Sequence, residues 1–219
     1  MGRWPTWRQK LATFNRLSYV PHSAQIPIHQ CDARVVVVVG AERAGKSLFA
    51  GNEVTARAPW CERVGFTGQD YVKARAEWKY TVDALTSLGA ISYTSMPHQG
   101  QWVAQARTNC ELKTISLERG VDQLTGTGEP YDIIVLCEWG LMNYNAFLAA
   151  RGRVVDKHGM VLAIGTLGDS IGWQADLWRL GQAPNALGVE SFSLPAWASS
   201  ISRWLGPPLR TNSSAVWSR

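Results

Sequence analysis

Three absences narrow what this chain of 219 residues can be. No run approaches the ~20 consecutive apolar residues of a membrane-spanning helix, so no membrane partner is expected. The start has no apolar block of the kind found in a secretory signal peptide. The cysteines show neither C-x-x-C spacing nor matching histidines, which argues against a zinc site and a disulfide framework. We therefore expect an intracellular protein whose thiols are reduced and mostly buried, namely Cys31, Cys61, Cys110 and Cys137.

Acidic residues are also missing from both ends. Residues 1–31 carry +4 and residues 191–219 carry +3 without one acid, while the formal net charge of the whole chain is +5. Tryptophan and phenylalanine are interleaved with these cations, a composition that suits a polyanionic partner. Solvated cationic tails would have the same composition. The residues expected to contact a polyanion are Arg3, Arg8, Lys10, Arg16, Arg203 and Arg210.

The clearest motif lies at Val35–Ser47, VVVVVGAERAGKS. Five consecutive valines favour a strand buried on both faces, as in a parallel sheet. The pattern G-x-x-x-x-G-K-S follows at once, and residues 48–58 can form a helix up to Pro59. Strand, glycine-rich loop and helix in this order are typical of a phosphate-binding loop. The loop comprises Gly40, Ala41, Glu42, Arg43, Ala44, Gly45, Lys46 and Ser47, in which the lysine would face the β- and γ-phosphates of ATP and the serine would ligate Mg²⁺.

A second buried strand, residues 132–138, ends in Glu138. In α/β nucleotide-binding proteins, ligands lie beyond the carboxyl ends of the strands. Glu138 is therefore a candidate base for the water that attacks the γ-phosphate, although an acid can also simply end a strand at the surface. A third core strand, residues 160–166, ends at the same edge in Thr166.

The remaining patterns complete an α/β fold. They predict a strand at 63–68, a helix at 71–88 capped by Asp70, a strand at 90–95, a hairpin at 102–117, a loop at 120–131, and helices at 140–151 and 173–180. From Ser191 onward, proline, glycine and serine favour a linker or tail. The predicted fold class is a P-loop NTPase with a mostly parallel central sheet, helices on both faces and an added antiparallel hairpin. The predicted divisions are a basic arm at 1–30, the core at 31–195 and a tail at 196–219.

The order of these motifs, together with Pro21-x-x-x-Gln25 ahead of them, resembles the ATPase domain of the large terminase subunit of tailed bacteriophages. The likeness extends over about residues 15–200 and includes the helix that begins at Tyr71 and the phrase Cys137-Glu138-Trp139-Gly140. It implies an Mg²⁺-dependent ATPase that drives double-stranded DNA into a procapsid. It also implies a homo-oligomeric ring at the portal protein, a small terminase subunit as partner, and the host cytoplasm as location.

The resemblance also assigns roles to single positions. Gln25 matches the glutamine that reads adenine, and an amide can both donate to and accept from a base edge. Glu138 matches the catalytic base, and Thr166 matches the motif that couples hydrolysis to movement. Arg43 lies where many terminases carry an arginine that acts on the γ-phosphate, although a surface cation would fit this position equally well.

Two features depart from the family pattern. The usual strand-ending pair is Asp-Glu, whereas this chain has Cys137-Glu138, and a thiol is a poor ligand for Mg²⁺. The metal is then held by Ser47, water and phosphates, or Glu138 serves both as base and as ligand. In addition, no acid follows Glu190, so we expect no nuclease domain with an acidic metal cluster in this chain.

Two other functions remain open at this stage. A P-loop kinase or transferase would need an acceptor pocket and a basic lid, and no arginine-rich lid is visible. A nucleotide-gated DNA-binding module with little turnover is compatible with Cys137 and with the missing nuclease.

Overall fold

The computed structural model describes residues 3–125, 128–167, 172–183 and 188–195. The predicted tail at 196–219 therefore lies outside the described residues. No helix within the described ranges is both long enough and apolar enough to cross a membrane. The helices are α1 (Trp7–Arg16), α2 (Ile26–Gln30), α3 (Lys46–Arg57), α4 (Tyr71–Ser87), α5 (Asp122–Thr125), α6 (Tyr144–Val155) and α7 (Trp173–Leu180). The strands are β1 (Val35–Gly40), β2 (Arg63–Gly68), β3 (Ile91–Ser95), β4 (Val103–Ala106), β5 (Glu111–Ser116), β6 (Ile133–Cys137), β7 (Met160–Gly165) and β8 (Val189–Leu194).

The strands form one sheet in the order β3-β4-β5-β2-β6-β7-β1-β8. Strands β5, β2, β6, β7, β1 and β8 are parallel neighbours, whereas β3 and β4 pair antiparallel at one end. The predicted fold class is confirmed, including the antiparallel hairpin that joins β4 to β5.

Strand β7 lies between β1 and β6. Parallel strands end at the same edge of the sheet. The loop that follows β1, Thr166 after β7 and Glu138 after β6 therefore lie side by side.

The valines of β1 divide between two cores because alternate side chains of a strand point to opposite faces. Val36 and Val38 pack with α3 and α4, whereas Val35 and Val37 pack with α6 and α7. A fully buried run of this kind is what a sheet covered on both faces requires.

Helices α3 and α4 pack unusually closely. A Cβ atom built at Gly51 would lie 2.4 Å from the Cβ of Tyr80, so this crossing needs glycine. The close approach brings the middle of α4 against the first turn of α3, directly beside the loop that follows β1.

The amino-terminal segment contains a short helix that packs against the core. Helix α1 begins with a capping box in which Thr6 and Gln9 satisfy each other's backbone N–H groups. On its inner side, Lys10 is 1% exposed and its Nζ donates to Glu53 at 2.7 Å. Lys10 is therefore not available to a polyanion, and that prediction is wrong for this residue. Arg3 also pairs inward, with Asp132, whereas Arg8 and Arg16 are exposed.

Strand β8 was not predicted. Four of its six residues, Ser191 to Leu194, fall in the stretch interpreted as linker, yet β8 pairs in parallel with β1 along its whole length. Its alternating polar side chains are those of an edge strand, which tertiary pairing rather than local propensity specifies.

Candidate functional site

The loop after β1 has the backbone of an anion-binding turn. Gly45 adopts φ +83°, which L-residues rarely occupy, and Arg43 also lies in the left-handed region at φ +58°. Helix α3 begins at Lys46, two residues earlier than predicted, so the helix starts inside the motif. Free N–H groups and the positive end of the helix dipole therefore meet at this loop.

The Lys46 side chain folds back into the loop. Its Nζ donates to the carbonyl oxygens of Gly40 and Ala41, both at 2.8 Å, and the side chain is buried. Burial lowers the pKa of Lys46, and the carboxylates of Glu138 and Glu77 act in the opposite direction. The ammonium group is thus held among backbone carbonyls at the centre of the site.

Ser47 contacts a residue that the sequence analysis did not single out. Its Oγ donates to Glu77 Oε1 at 2.7 Å. Glu77 comes from α4 and is only 3% exposed, and burial raises its pKa, partly opposed by the Ser47 hydrogen bond. A sequence signal existed, because Glu77 falls on the helix face that the apolar residues Ala74 and Trp78 bury. An acid on such a face needs a partner or a function.

Cys137 lies beside Glu77, beneath the Ser47–Glu77 hydrogen bond. It is fully buried in the core formed with α3 and α4. Burial, followed by the charge of the neighbouring Glu77, raises the pKa of the Cys137 thiol far above its ordinary value. The position that carries aspartate in the family pattern thus holds a protonated, apolar-packed thiol, and the nearest carboxylate enters from α4.

Glu138 follows β6 in a left-handed conformation, φ +53°, and is partly exposed. This backbone turn ends the strand and starts a short 3-10 helix at Trp139–Leu141. Beside it, Thr166 Oγ1 donates to the Gly40 carbonyl at 3.2 Å. Strand ends, loop and acid are therefore brought together as the sequence analysis expected.

Gln25 is buried and held in place on both sides of its amide. Its Nε2 donates to the Gly45 carbonyl at 3.4 Å, and its Oε1 accepts from the Tyr19 hydroxyl at 3.0 Å. The Tyr19 hydroxyl also contacts His29 Nε2 at 3.1 Å, and His29 Nδ1 lies 2.7 Å from Glu53. A line of polar contacts thus connects the phosphate-loop backbone to the ion cluster beneath α1.

One cavity of about 1290 Å³ collects most of these groups. Common ligand pockets measure roughly 300–1,000 Å³, so the space suffices for a nucleotide. Among the predicted site residues, those that line it are Gln25, Glu42, Arg43, Ala44, Gly45, Lys46, Ser47, Glu138 and Thr166. Gly40 and Ala41 are connected to the cavity by the hydrogen bonds that their carbonyl oxygens accept from Lys46 Nζ. Lys73, Ala76 and Tyr80 of α4 form a further part of its wall.

A metal-binding cluster of the all-protein type is not part of this arrangement. Within the described ranges, no group of three or more histidine, cysteine, aspartate or glutamate side chains could hold a metal ion. Hard oxygen donors are nevertheless present at the site, in the Ser47 hydroxyl and the Glu77 and Glu138 carboxylates. Such donors fit Mg²⁺, which commonly combines one or two carboxylates with substrate phosphates.

No protein-family model matches the sequence, and no curated protein matches it. Solved structures do. The large terminase ATPase domain of Thermus phage P74-26 is similar with a TM-score of 0.69 and 19% identity over 88% of each chain. A point mutant of the same domain gives a TM-score of 0.70 over the same coverage. The large terminase of another thermophilic bacteriophage, solved in complex with ADP, is similar with a TM-score of 0.55 and 12% identity.

This third match covers 87% of the present chain but 45% of the longer one. At such identities the likeness shows the fold. The chain has the fold of large terminase ATPase domains, as the motif resemblance predicted.

Proposed function

We propose that this chain is the ATP-hydrolysing motor domain of a terminase that packages double-stranded DNA. The main observation behind the proposal is that one cavity holds both Lys46, in the loop after β1, and Glu138, after β6. Strand β7 lies between these two strands. The fold shared with terminase ATPase domains, one of them in a protein solved with ADP, supports it.

Nucleotide binding would use the loop and the amino-terminal segment. The Lys46 ammonium group would exchange the Gly40 and Ala41 carbonyls for β- and γ-phosphate oxygens, because both kinds of oxygen accept hydrogen bonds from an ammonium group. Gln25, Glu42, Ala44 and Gly45 would complete the cradle, with the Gln25 amide directed to adenine. Arg43, exposed at the loop tip, would stabilise charge that develops on the γ-phosphate.

Hydrolysis would depend on Glu138 as the base that orients and deprotonates the attacking water. It lines the same cavity as Lys46, and its carboxylate acts to raise the pKa of the Lys46 ammonium group, which supports this role. Mg²⁺ would be held by Ser47, phosphate oxygens and a neighbouring carboxylate, for which Glu138 is the residue that the sequence predicts. When bound, the ion would neutralise charge on the β- and γ-phosphates.

Coupling to DNA would start at Thr166, whose hydrogen bond to Gly40 links the end of β7 to the phosphate loop. By resemblance, the working form would be a homo-oligomeric ring at the procapsid portal in the host cytoplasm, with the small terminase subunit as a partner. These assembly partners are part of the proposal.

The test is phosphate release from ATP by the purified chain, with and without duplex DNA. We expect Mg²⁺-dependent release that needs no acceptor other than water. Transfer of phosphate to an added acceptor would instead identify a kinase or transferase. Tight ATP binding that changes DNA affinity without turnover would identify a nucleotide-gated DNA-binding module.

A further inference from the structure

The strand-end position beside the phosphate loop offers no metal ligand of its own. Cys137 is fully buried in the core formed with α3 and α4, and its side chain ends in sulfur. Mg²⁺ prefers oxygen, and soft sulfur ligands select other metals. A carboxylate for the ion must therefore come from somewhere else in this fold.

Glu77 has the properties that such a carboxylate needs. Its Oε1 already accepts from Ser47 Oγ, the hydroxyl that phosphate loops of this pattern present to Mg²⁺. Its Oε2 is buried with no hydrogen-bond partner among the described residues, apart from the weakly donating Cys137 thiol beside it. A buried carboxylate oxygen with only a weak thiol donor is costly unless a cation compensates it.

We infer that Glu77 is the carboxylate that binds the Mg²⁺ of the Mg²⁺–nucleotide complex, replacing the acid that Cys137 does not supply. The inference rests on the proposed function, because phosphate oxygens complete the coordination. It also assigns separate tasks to two acids of the site, one behind Ser47 and one in the cavity wall. Glu77 binds the ion, and Glu138 remains free to act on water.

The packing of α4 supports this role. Gly51 lets α4 approach α3 so closely that the middle of α4 lies beside the start of α3. Two hydrogen bonds join the helices at this crossing: the Thr55 hydroxyl of α3 donates to the Thr81 carbonyl of α4 at 3.4 Å, and Thr81 Oγ1 donates to the Gly51 carbonyl at 3.5 Å. Glu77 is therefore fixed on a rigid element, as an ion that demands near-ideal octahedral geometry requires.

A purely structural role is the competing explanation. Glu77 could simply join α4 to α3 through the Ser47 hydroxyl. Glu77→Gln separates the two roles, because glutamine keeps an oxygen that accepts from Ser47 but loses the charge that attracts the ion. The matched control on the same helix is Asp83→Asn, an exposed acid paired with Lys79.

The experiment measures binding of a fluorescent ADP analogue by the whole chain, with Mg²⁺ and with a chelator instead. We expect wild type and Asp83→Asn to bind more tightly with Mg²⁺. In Glu77→Gln the Mg²⁺-dependent gain should shrink by at least about tenfold, the lower end for loss of a metal-supporting group, while affinity in chelator stays within about threefold. An unchanged Mg²⁺ gain in Glu77→Gln would overturn the inference.

A double variant provides a rescue test. Glu77→Gln with Cys137→Asp moves the carboxylate from the helix to the strand end and should restore the Mg²⁺ gain. No restoration in a folded double variant would contradict the replacement of one acid by the other.

Two further outcomes have defined meanings. If Glu77→Gln fails to fold, Glu77→Asp replaces it. The shorter aspartate side chain holds its carboxylate farther from the ion. The Mg²⁺-dependent gain in nucleotide affinity should therefore fall in Glu77→Asp, and an undiminished gain would overturn the inference. If wild type binds no nucleotide with or without Mg²⁺, the proposed function itself fails, and this result is distinct from either outcome for Glu77.

Discussion

Lys46 is the side chain on which nucleotide binding most directly depends. Its two acceptors are backbone carbonyls within its own loop, so Lys46→Ala removes little that holds the fold together. We expect the variant to lose tight ATP binding while its melting temperature stays close to that of wild type. Calorimetric titration with ATP is the measurement. Unchanged affinity would refute the phosphate-loop assignment.

Glu138 tests hydrolysis separately from binding. General-base catalysis supplies roughly 10²–10⁴-fold, so Glu138→Gln should lower turnover by about that factor while ATP still binds. Because the ion is assigned to Glu77, the variant should also keep the Mg²⁺-dependent gain in nucleotide affinity. A loss of turnover below about tenfold would show that another group activates the water.

Cys137 alone should not accept a charge. Cys137→Asp places a carboxylate in the core beside Glu77, where two like charges would face each other. We expect a free energy of unfolding lower by roughly 3–5 kcal/mol, the range for an uncompensated buried charge. Denaturant titration measures it, with Cys137→Ser as the matched neutral control. If Cys137→Asp and Cys137→Ser are equally stable, position 137 tolerates a charge even while Glu77 keeps its own.

At the scale of elements, the segment before β1 is fastened to α3 by a buried ion cluster. Glu53 accepts from Lys10 of α1 and from Arg57 of its own helix, at 2.7 and 2.6 Å, and His29 of α2 contacts its other oxygen. Arg57 also reaches Asp32 at 3.7 Å. Removing residues 1–17 would leave this cluster incomplete, so such a truncation changes stability as well as any contact with DNA.

Glu53→Gln is the sharper test of the cluster. It leaves Lys10 and Arg57 buried without their counter-charge, and loss of one member of a buried pair typically costs about 3–5 kcal/mol. We expect a melting temperature well below that of wild type at neutral pH. The variant Asp83→Asn, at an exposed position, again serves as the control, and its melting temperature should equal that of wild type.

The same cluster predicts a pH dependence. Burial alone would raise the pKa of Glu53, but Arg57 and Lys10, with the His29 hydrogen bond, hold it well below its ordinary 4.5. A carboxyl group whose pKa is lowered by folding stabilises the fold above its unfolded pKa, and this contribution is lost as the pH falls through the folded value. The stability gap between wild type and Glu53→Gln should therefore narrow below pH 4.5. Urea unfolding between neutral and acidic pH measures it, and a gap that widens would contradict the assignment.

Elements differed in how far the sequence could predict them. The strands β1, β6 and β7 have dense β-branched or aliphatic runs, and motif order then predicted their arrangement. Helix α1 has a capping box at Thr6–Gln9 that was available as a signal. Strand β8 has no such local sequence signal, because its pairing with β1 depends on residues far away in the chain. The apolar face of α4 marked Glu77 as a buried acid, but only the α3–α4 crossing reveals that its partner is Ser47.

At the scale of the whole molecule, the distribution of positive charge changes the expected DNA contact. Two of the four cations in residues 1–31 point inward, which leaves Arg8 and Arg16 on the exposed side of α1. Each phosphate that is neutralised adds about −0.9 to the slope of log affinity against log salt. Replacing both arginines by glutamine should weaken duplex binding and make that slope shallower by up to about 2.

Arg119→Gln combined with Arg179→Gln removes two exposed cations outside α1 and is the matched control for this charge change. Fluorescence anisotropy over a range of salt concentrations gives both slopes. An α1 double variant whose slope equals that of the control would mean that α1 does not contact DNA.

The position of β1 in the sheet has a consequence for how the protein is made. Both neighbours of the valine strand, β7 and β8, come from the last third of the chain. At a synthesis rate of about 5–20 residues per second, the strand leaves the ribosome on the order of ten seconds before β7 exists. During that interval five valines with high β-propensity and no charge have no native partner, which is the signature of an aggregation-prone segment. The strand that supports the phosphate loop is thus an aggregation-prone segment of the nascent chain until β7 and β8 have been made.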